Sequence, residues 1–529
     1  MKTSRIVALF SLIVVFSACA KRELNTRVSN TTGWNYFDER TTNFEALEGV
    51  GNVNPVGMIA IQGGTFTMGE KDEFITAPRN NPQRAVTVSS FYMDKYEVTN
   101  LNWREYLHWM KLVFGPSVPE LVDAVLPDTT VWRSELAYNE PYLENYFRHP
   151  AFSFYPVVGI SWEQAMNYCQ WRTDRVNELA LVRAGIINFP VFSELTPTDD
   201  EAYKEEWEAM TGYTMDEWEV PDPEDPSNTI SMYRPSYEYI RDKFVFNTDK
   251  YLLVSDYLPE AGKHPKLNSY GGERKIDRSD GLLVVGYRLP TEAEWEFAAF
   301  APVAGDDGLT IEGKVYPWSG YHPRNLTEKQ RGQLQANFIR GRGDMMGVSG
   351  ALNDKYVITA PVDAFMPNDF GLYNMAGNVN EWVLDVYRET SFQEISEYNS
   401  FRGNIFSRAK LVNGSYEVDS LGRLAIEWTS SDDVRDYKDG DKASRIPTEY
   451  PIDTIGLGEL SVAKLDPTDI LAPKITKNTR VYKGGSWNDR IYWLNPSTRR
   501  YLDQDKSSCT IGFRCAMSTL GDQIPTAVQ

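Results

Sequence analysis

Histidine is almost missing from this chain of 529 residues, and its four copies, His108, His149, His264 and His322, never form the i, i+4 pair or close cluster of a helix-borne metal site. Histidine-based metal catalysis therefore lacks its ligands. Cysteine is equally scarce, and the four residues Cys19, Cys169, Cys509 and Cys515 fit no zinc spacing. Basic residues number 54 against 74 acidic ones, a net charge of −20, which argues against holding nucleic acid or an anionic membrane by general electrostatics. That charge favours basic or protein partners, or divalent cations. Beyond residue 18 no stretch approaches the roughly 18 consecutive apolar residues of a membrane helix, so the body is expected to be soluble.

What is present begins with Lys2 and Arg5 ahead of an apolar run, Ile6 to Ala18, that is too short to cross a bilayer about 30 Å thick. It reads as a signal peptide over 1–18. The run stops at Phe16-Ser17-Ala18-Cys19, where small residues precede a cysteine positioned to carry lipid, as in bacterial lipoprotein signals. The competing reading is an ordinary cleavage site with a chance cysteine. Ala20-Lys21-Arg22 lacks the Asp that often retains bacterial lipoproteins in the inner membrane, so an outer-membrane anchor facing the periplasm is the expectation. Residues 19–57 are polar, with isolated aromatics and no sustained period, and read as a tether.

From Met58 the character changes. Met58-Ile59-Ala60-Ile61 and the glycine-led run 63–69 predict two short strands. Trp103, Tyr106, Leu107 and Met110 share one face of a helix, and Ser161 with Gln164 forms a capping-box pattern ahead of a second helix that turns Cys169 inward. Thr291 and Glu294 repeat that pattern for a third helix. Three helices separated by glycine-rich strand and loop material give an α+β class. Two stretches read as insertions, about 173–286 and about 388–478. The first contains an acidic run from Asp199 to Glu208 and then the alternating prolines Pro221, Pro223 and Pro226. Charge runs are usually solvated surface, and a dedicated binding lobe is the alternative.

The blocks Gly63-Gly64-Thr65-Phe66-Thr67-Met68-Gly69, Tyr96-Glu97-Val98-Thr99-Asn100, Tyr287-Arg288-Leu289-Pro290-Thr291-Glu292, Gly377-Asn378-Val379-Asn380-Glu381-Trp382, Gly484-Gly485-Ser486-Trp487 and Gly512-Phe513-Arg514-Cys515 stand in one order. That order resembles the formylglycine-generating-enzyme, or sulfatase-modifying-factor, family across residues 58–518, leaving 519–529 as a tail. The resemblance implies an irregular α+β fold with a C-type-lectin-like core. It implies a disulfide between Cys169 and Cys515. It also implies two calcium sites, one from Asn337, Asp354 and the carbonyls of Phe338 and Tyr356, the other from Asn374, Glu381 and the carbonyls of Gly377 and Val379. These polar residues could instead brace tight turns. Asn380 replaces the family's usual tryptophan.

Active members hold copper through two cysteines within about ten residues after the Gly-Gly-Ser block, because that ion wants soft thiolate ligands. From Ser486 to Ser508 there is no cysteine. No copper is expected, and no catalytic residue. Within the family, residues 32–34, 126–133, 146–150 and 171–178 resemble the gliding-motility lipoproteins of the Bacteroidota. Their likeness implies a non-enzymatic part of the type IX secretion and gliding apparatus, whose partners are other outer-membrane and periplasmic proteins. An oxidase with another centre and a glycan-binding module are the alternative classes.

Overall fold

The computed structural model describes residues 55–70, 81–115, 117–222, 228–254, 273–302, 314–326, 331–339, 354–387, 407–419, 423–428 and 478–521, with short pieces at 28–29, 31–35, 266–267, 328, 401, 403, 449–452, 461–464 and 475. Cys19 and the expected signal peptide lie outside the described residues.

Strand β1 (Met58–Ile61) and hairpin β2 (Gly64–Met68) with β3 (Arg84–Val88) open the body, followed by β4 (Phe91–Asp94). Helix α1 (Asn100–Phe114) begins at Thr99, whose hydroxyl accepts from the Asn102 amide while Asn102 answers at the cap, so two of the orphan N–H groups are satisfied. Its apolar face is the expected one, with Trp103, Tyr106, Leu107 and Met110 buried. Helix α2 (Trp162–Arg183) starts at the expected Ser161–Gln164 capping box and buries Cys169. Strand β5 (Tyr287–Arg288) and helix α3 (Glu292–Phe300), capped by Thr291 and Glu294, come next. The C-terminal part supplies β6 (Asn380–Val386), β7 (Thr479–Lys483), β8 (Arg500–Asp503), β9 (Ile511–Gly512) and β10 (Ala516–Ser518).

Two four-stranded sheets result. One is antiparallel in the order β1-β4-β10-β5, with Met93 opposite Ala516, so the C-terminal strand seals the N-terminal one. The other runs β8-β7-β6-β9, with β6 antiparallel to β7 and parallel to β9. Strand β6 is buried on both faces except at Leu384, which suits its central place. Both conserve the mixed helix and sheet class expected from the patterning.

The segment that reads as the first insertion is more ordered than its charge suggests. Helix α2 continues to Arg183, because Asn177 and Leu181 are still on its buried face. The acidic run forms a helix, Glu201–Thr211, capped by Asp200 at one end and by left-handed Gly212 at the other. Trp207 is its only buried residue and joins the same core as Trp103, together with Met215, Tyr233 and Ile240. The carboxylates stay outside while one indole anchors the helix, so this run is a solvated face with a core attachment.

Candidate functional site

The loop after β7 is where a copper centre would have to be built. Asp489 is its central group. One carboxylate oxygen accepts from the Ser486 amide at 2.9 Å and the Ser486 hydroxyl at 2.6 Å, and the two oxygens together grip Arg500 at 2.7 Å each. Asn380 donates its amide to the same carboxylate at 3.3 Å and accepts from Arg500 through its carbonyl. Arg500 lies on the Trp493 ring, 4.5 Å from its centroid. Burial would raise the Asp489 pKa, but Arg500 outweighs it and holds the carboxyl below its ordinary value. Leu494 ends the stretch fully buried. Asn380, where the family usually carries tryptophan, is thus part of a closed polar lock rather than a pocket wall. The lock contains charged and amide groups and no thiol, and a copper ion asking for soft ligands does not fit it.

The cysteines lie elsewhere. Cys169 and Cys515 face each other with sulfurs 3.6 Å apart, both buried, and both are free thiols in this structure. The expected pair is therefore brought together but not bonded. Burial first, then the neighbouring Cys169, pushes the Cys515 thiol well above its ordinary value, so Cys515 offers no ready thiolate. Cys509 packs in a separate cluster with Trp132, Tyr146 and Val158, which removes it as a partner for Cys515. In an oxidising compartment the juxtaposed pair is expected to close into a disulfide that contributes about 3–5 kcal/mol. Peptide mapping without reductant should recover the linked 169 and 515 peptides. Two alkylatable thiols in freshly isolated protein would oppose this.

The residues expected to hold calcium form one neighbourhood. The Asn378 amide donates to the Asn337 carbonyl at 2.9 Å, linking the two proposed sets, and Asp354 and Asn374 line a common cavity of about 590 Å³. Asn374 and Asn378 adopt left-handed backbone (φ 53° and 64°), which asparagine tolerates, and Gly377 between them has φ 77°. A Cβ on Gly377 would come within 2.5 Å of the Asn337 carbonyl oxygen, so only glycine allows this approach.

Each asparagine nitrogen braces the passing chain: Asn337 donates to the Ile358 carbonyl, Asn378 to Ala360 and Asn374 to Val362. The Asn378 oxygen also accepts, from the Ala360 amide at 2.7 Å and from Asn337 at 3.5 Å. Among the described residues the carbonyls of Phe338, Tyr356, Gly377 and Val379 accept no hydrogen bond, so the oxygen donors that a hard cation needs are open.

Glu381 departs from the expectation. Its carboxylate takes Arg514 in a bidentate fork at 2.6 and 2.7 Å and the Trp295 indole at 2.8 Å, all buried. The carboxylate that meets Asn374 is instead Glu97, which the sequence reading passed over. One Glu97 oxygen accepts from Asn374 at 2.9 Å and Asn378 at 2.8 Å; the other is buried without a partner. Burial, aided by the Glu381 charge, pushes Glu97 up to about 8. The orphaned Glu97 oxygen, on a carboxylate held by Asn374 and Asn378, is a hard donor of the kind a divalent cation takes. Glu97 stands in the block Tyr96-Glu97-Val98-Thr99-Asn100, but its partners are nearly three hundred positions away, and no local spacing signals them.

Residues 44–519 match the model of the sulfatase-modifying factor enzyme 1-like domain. The chain is 25% identical over 332 residues to formylglycine-generating enzyme of Mus musculus, covering 62% of this chain and 58% of that one. It is 24% identical over 356 residues to a protein of Bos taurus named inactive C-alpha-formylglycine-generating enzyme 2, covering 64% and 74%. The chain thus spans less than two thirds of the mouse enzyme's length. Among solved structures, PvdO from Pseudomonas aeruginosa aligns over 87% of this chain and 94% of its own, at 16% identity and a TM-score of 0.36.

Proposed function

The chain belongs to the sulfatase-modifying factor enzyme 1-like domain family, and from that premise we propose that it is a non-catalytic member, a lipoprotein held at the outer membrane through Cys19 that serves as a docking component of the type IX secretion and gliding machinery. The observation that carries this reading is the Asp489–Arg500–Asn380 lock, which occupies the loop after Gly484-Gly485-Ser486 with groups that offer copper no thiolate. The family has relatives whose own names call them inactive. The whole-chain pattern resembles the gliding-motility lipoproteins GldJ and GldK, and the acidic composition suits basic protein neighbours. A fold kept while its reactive ligands are gone is consistent with a site reused for binding. Lipid at Cys19 raises the effective concentration of the body for other anchored components.

Crosslinking in intact cells followed by identification of the captured proteins tests the docking role. Outer-membrane and periplasmic components of the secretion apparatus are the expected captures, and their absence from a capture that contains only unrelated envelope proteins would overturn it. Truncating residues 199–226 is a poor variant, because Trp207 and Met215 belong to the core. Reversing exposed charges such as Glu201, Glu205 and Glu206 leaves that anchor intact.

Calcium is proposed as a structural ligand of the Asn337–Asp354 and Asn374 sets, with Glu97 supplying the carboxylate of the second; it would supply positive charge among the open oxygens and no chemistry. Metal-stripped protein should gain stability as free calcium rises, by about 2.7 kcal/mol at a hundredfold excess over the dissociation constant. Glu97→Gln should remove part of the gain. Identical melting in chelator and in calcium would leave the asparagines as braces alone.

A further inference from the structure

The segment that reads as the first insertion carries a hairpin, strands Met215–Pro221 and Thr229–Pro235, whose first strand has an open edge. The register sets Glu217 opposite Tyr233 and Glu219 opposite Ser231. Tyr233 exchanges both of its main-chain hydrogen bonds with Thr198, at 2.7 and 2.9 Å, so its polar groups turn away from Glu217. Bonded and non-bonded pairs alternate along an antiparallel ladder, which makes Asp216–Arg234, Trp218–Met232 and Val220–Ile230 the hydrogen-bonded ones. The prolines agree, because Pro221 and Pro235 stand in pairs of the other kind, where the ladder needs no N–H. The N–H and C=O of Glu217 and Glu219 therefore point outward, and among the described residues nothing pairs with them. The open stretch is bounded. The Met215 N–H is taken by the Glu208 carboxylate at 2.7 Å, and Pro221 has no N–H to offer.

The side chains along this edge sort by face. Trp218 and Val220 share one face with Met232 and Ile230, all four only half-buried and none of them part of the core around Trp103. Glu217 and Glu219 are exposed on the other face. Glu217 has Lys204 at 3.2 Å, whereas Glu219 meets no cation among the described residues. An open edge is a template for an incoming strand, and its side chains decide which strand is admitted. Two copies of this edge would set carboxylate against carboxylate, which excludes self-pairing. What fits is a strand that is apolar toward Trp218 and Val220 and basic toward Glu217 and Glu219. Because successive side chains of extended chain point to opposite faces, that strand alternates basic and apolar residues.

We infer that this edge docks a partner protein by strand addition, taking an extended segment in which Lys or Arg alternates with apolar residues. The main chain of that segment pairs with the outward N–H and C=O of Glu217 and Glu219. Its basic residues then stand in the hydrogen-bonded pairs opposite the two glutamates, and its apolar residues in the closer, non-bonded pairs opposite Trp218 and Val220. The inference rests on the docking role proposed above and gives it a place on the chain and a partner chemistry.

The test titrates the full chain into a short, fluorescently labelled peptide of alternating lysine and valine and follows anisotropy. Saturable binding is expected, and the same peptide with glutamate in place of lysine should not bind. Methylating the lysine amide nitrogens removes the donors that face the edge and should abolish binding, while methylating the valine amide nitrogens, which face solvent, should be tolerated. Two protein variants separate main chain from charge. Glu219→Gln keeps the outward N–H and drops the carboxylate; Glu219→Pro drops both and leaves the ladder to the second strand intact. The proline variant should bind about tenfold more weakly than the glutamine variant, the factor that corresponds to one hydrogen bond. No saturable binding of the lysine peptide, indifference to which set of amides is methylated, or equal affinities in the two variants would each overturn the assignment. The assay contains no other cell component. Where capture in intact cells succeeds and the peptide fails, this edge is the wrong surface and the docking role stands.

Discussion

Arg514→Leu is expected to lower the unfolding free energy by about 3–5 kcal/mol, the range seen when one partner of a buried ion pair is removed. Arg514 is fully buried and donates to both Glu381 oxygens, to the Tyr373 carbonyl at 2.8 Å and to the Asp94 carbonyl at 3.3 Å. Without it the Glu381 carboxylate is left dry and uncompensated, close to Glu97. The change strikes the junction of both sheets, since Arg514 lies between β9 and β10 while Glu381 is on β6. Urea unfolding would measure the loss. The double variant Arg514→Leu with Glu381→Gln should recover part of it, because the stranded charge is gone. A loss below about 1 kcal/mol in the single variant would mean that the pair is a spectator.

Acid should destabilise the fold in a window set by Glu292. Burial alone would raise this carboxyl, but Arg499 and Lys483, at 2.7 and 3.1 Å, outweigh it and bring the group down to about 2. A carboxylate depressed in the folded state contributes stability that is present above its ordinary value of about 4.5 and is lost as pH falls toward 2. Stability at pH 6 should therefore exceed that at pH 3 by about 2 kcal/mol from this residue. Glu292→Gln should flatten that part of the profile while lowering stability at pH 6. A wild-type profile that is level between pH 6 and 3 would contradict the assignment.

The parts of the fold legible in the sequence are those fixed by short-range chemistry. The capping boxes at Ser161 and Thr291 place two helices because a hydroxyl and a side chain three positions on must close on each other. The inward side of α2, and with it the burial of Cys169, follows from helical spacing, whereas its approach to Cys515 was implied only by the family resemblance. What escaped are groups whose partners are remote in sequence. Glu381 looks like a cation ligand until Arg514, 133 positions on, takes both its oxygens. Glu97 looks like part of a strand-to-helix turn until Asn374 and Asn378 arrive from the far end of the chain. The helix Glu201–Thr211 was masked by its own charge, although Tyr203, Trp207 and Met210 at i, i+4 and i+7 between Asp200 and Gly212 carry a helical signal among the carboxylates. Asn380 did carry a legible warning: a tryptophan exchanged for an amide beside the Gly-Gly-Ser loop signals a rebuilt site, though not that Arg500 and Asp489 rebuild it.

The central claim, that this family member has exchanged its copper chemistry for a polar lock, is tested most directly by incubating the purified chain with copper and a cysteine-containing sulfatase peptide under oxygen and weighing the peptide. The account predicts that every cysteine is recovered unconverted, with Asp489 still gripping Arg500. Conversion of that cysteine to formylglycine, lost on removing the copper, would contradict it.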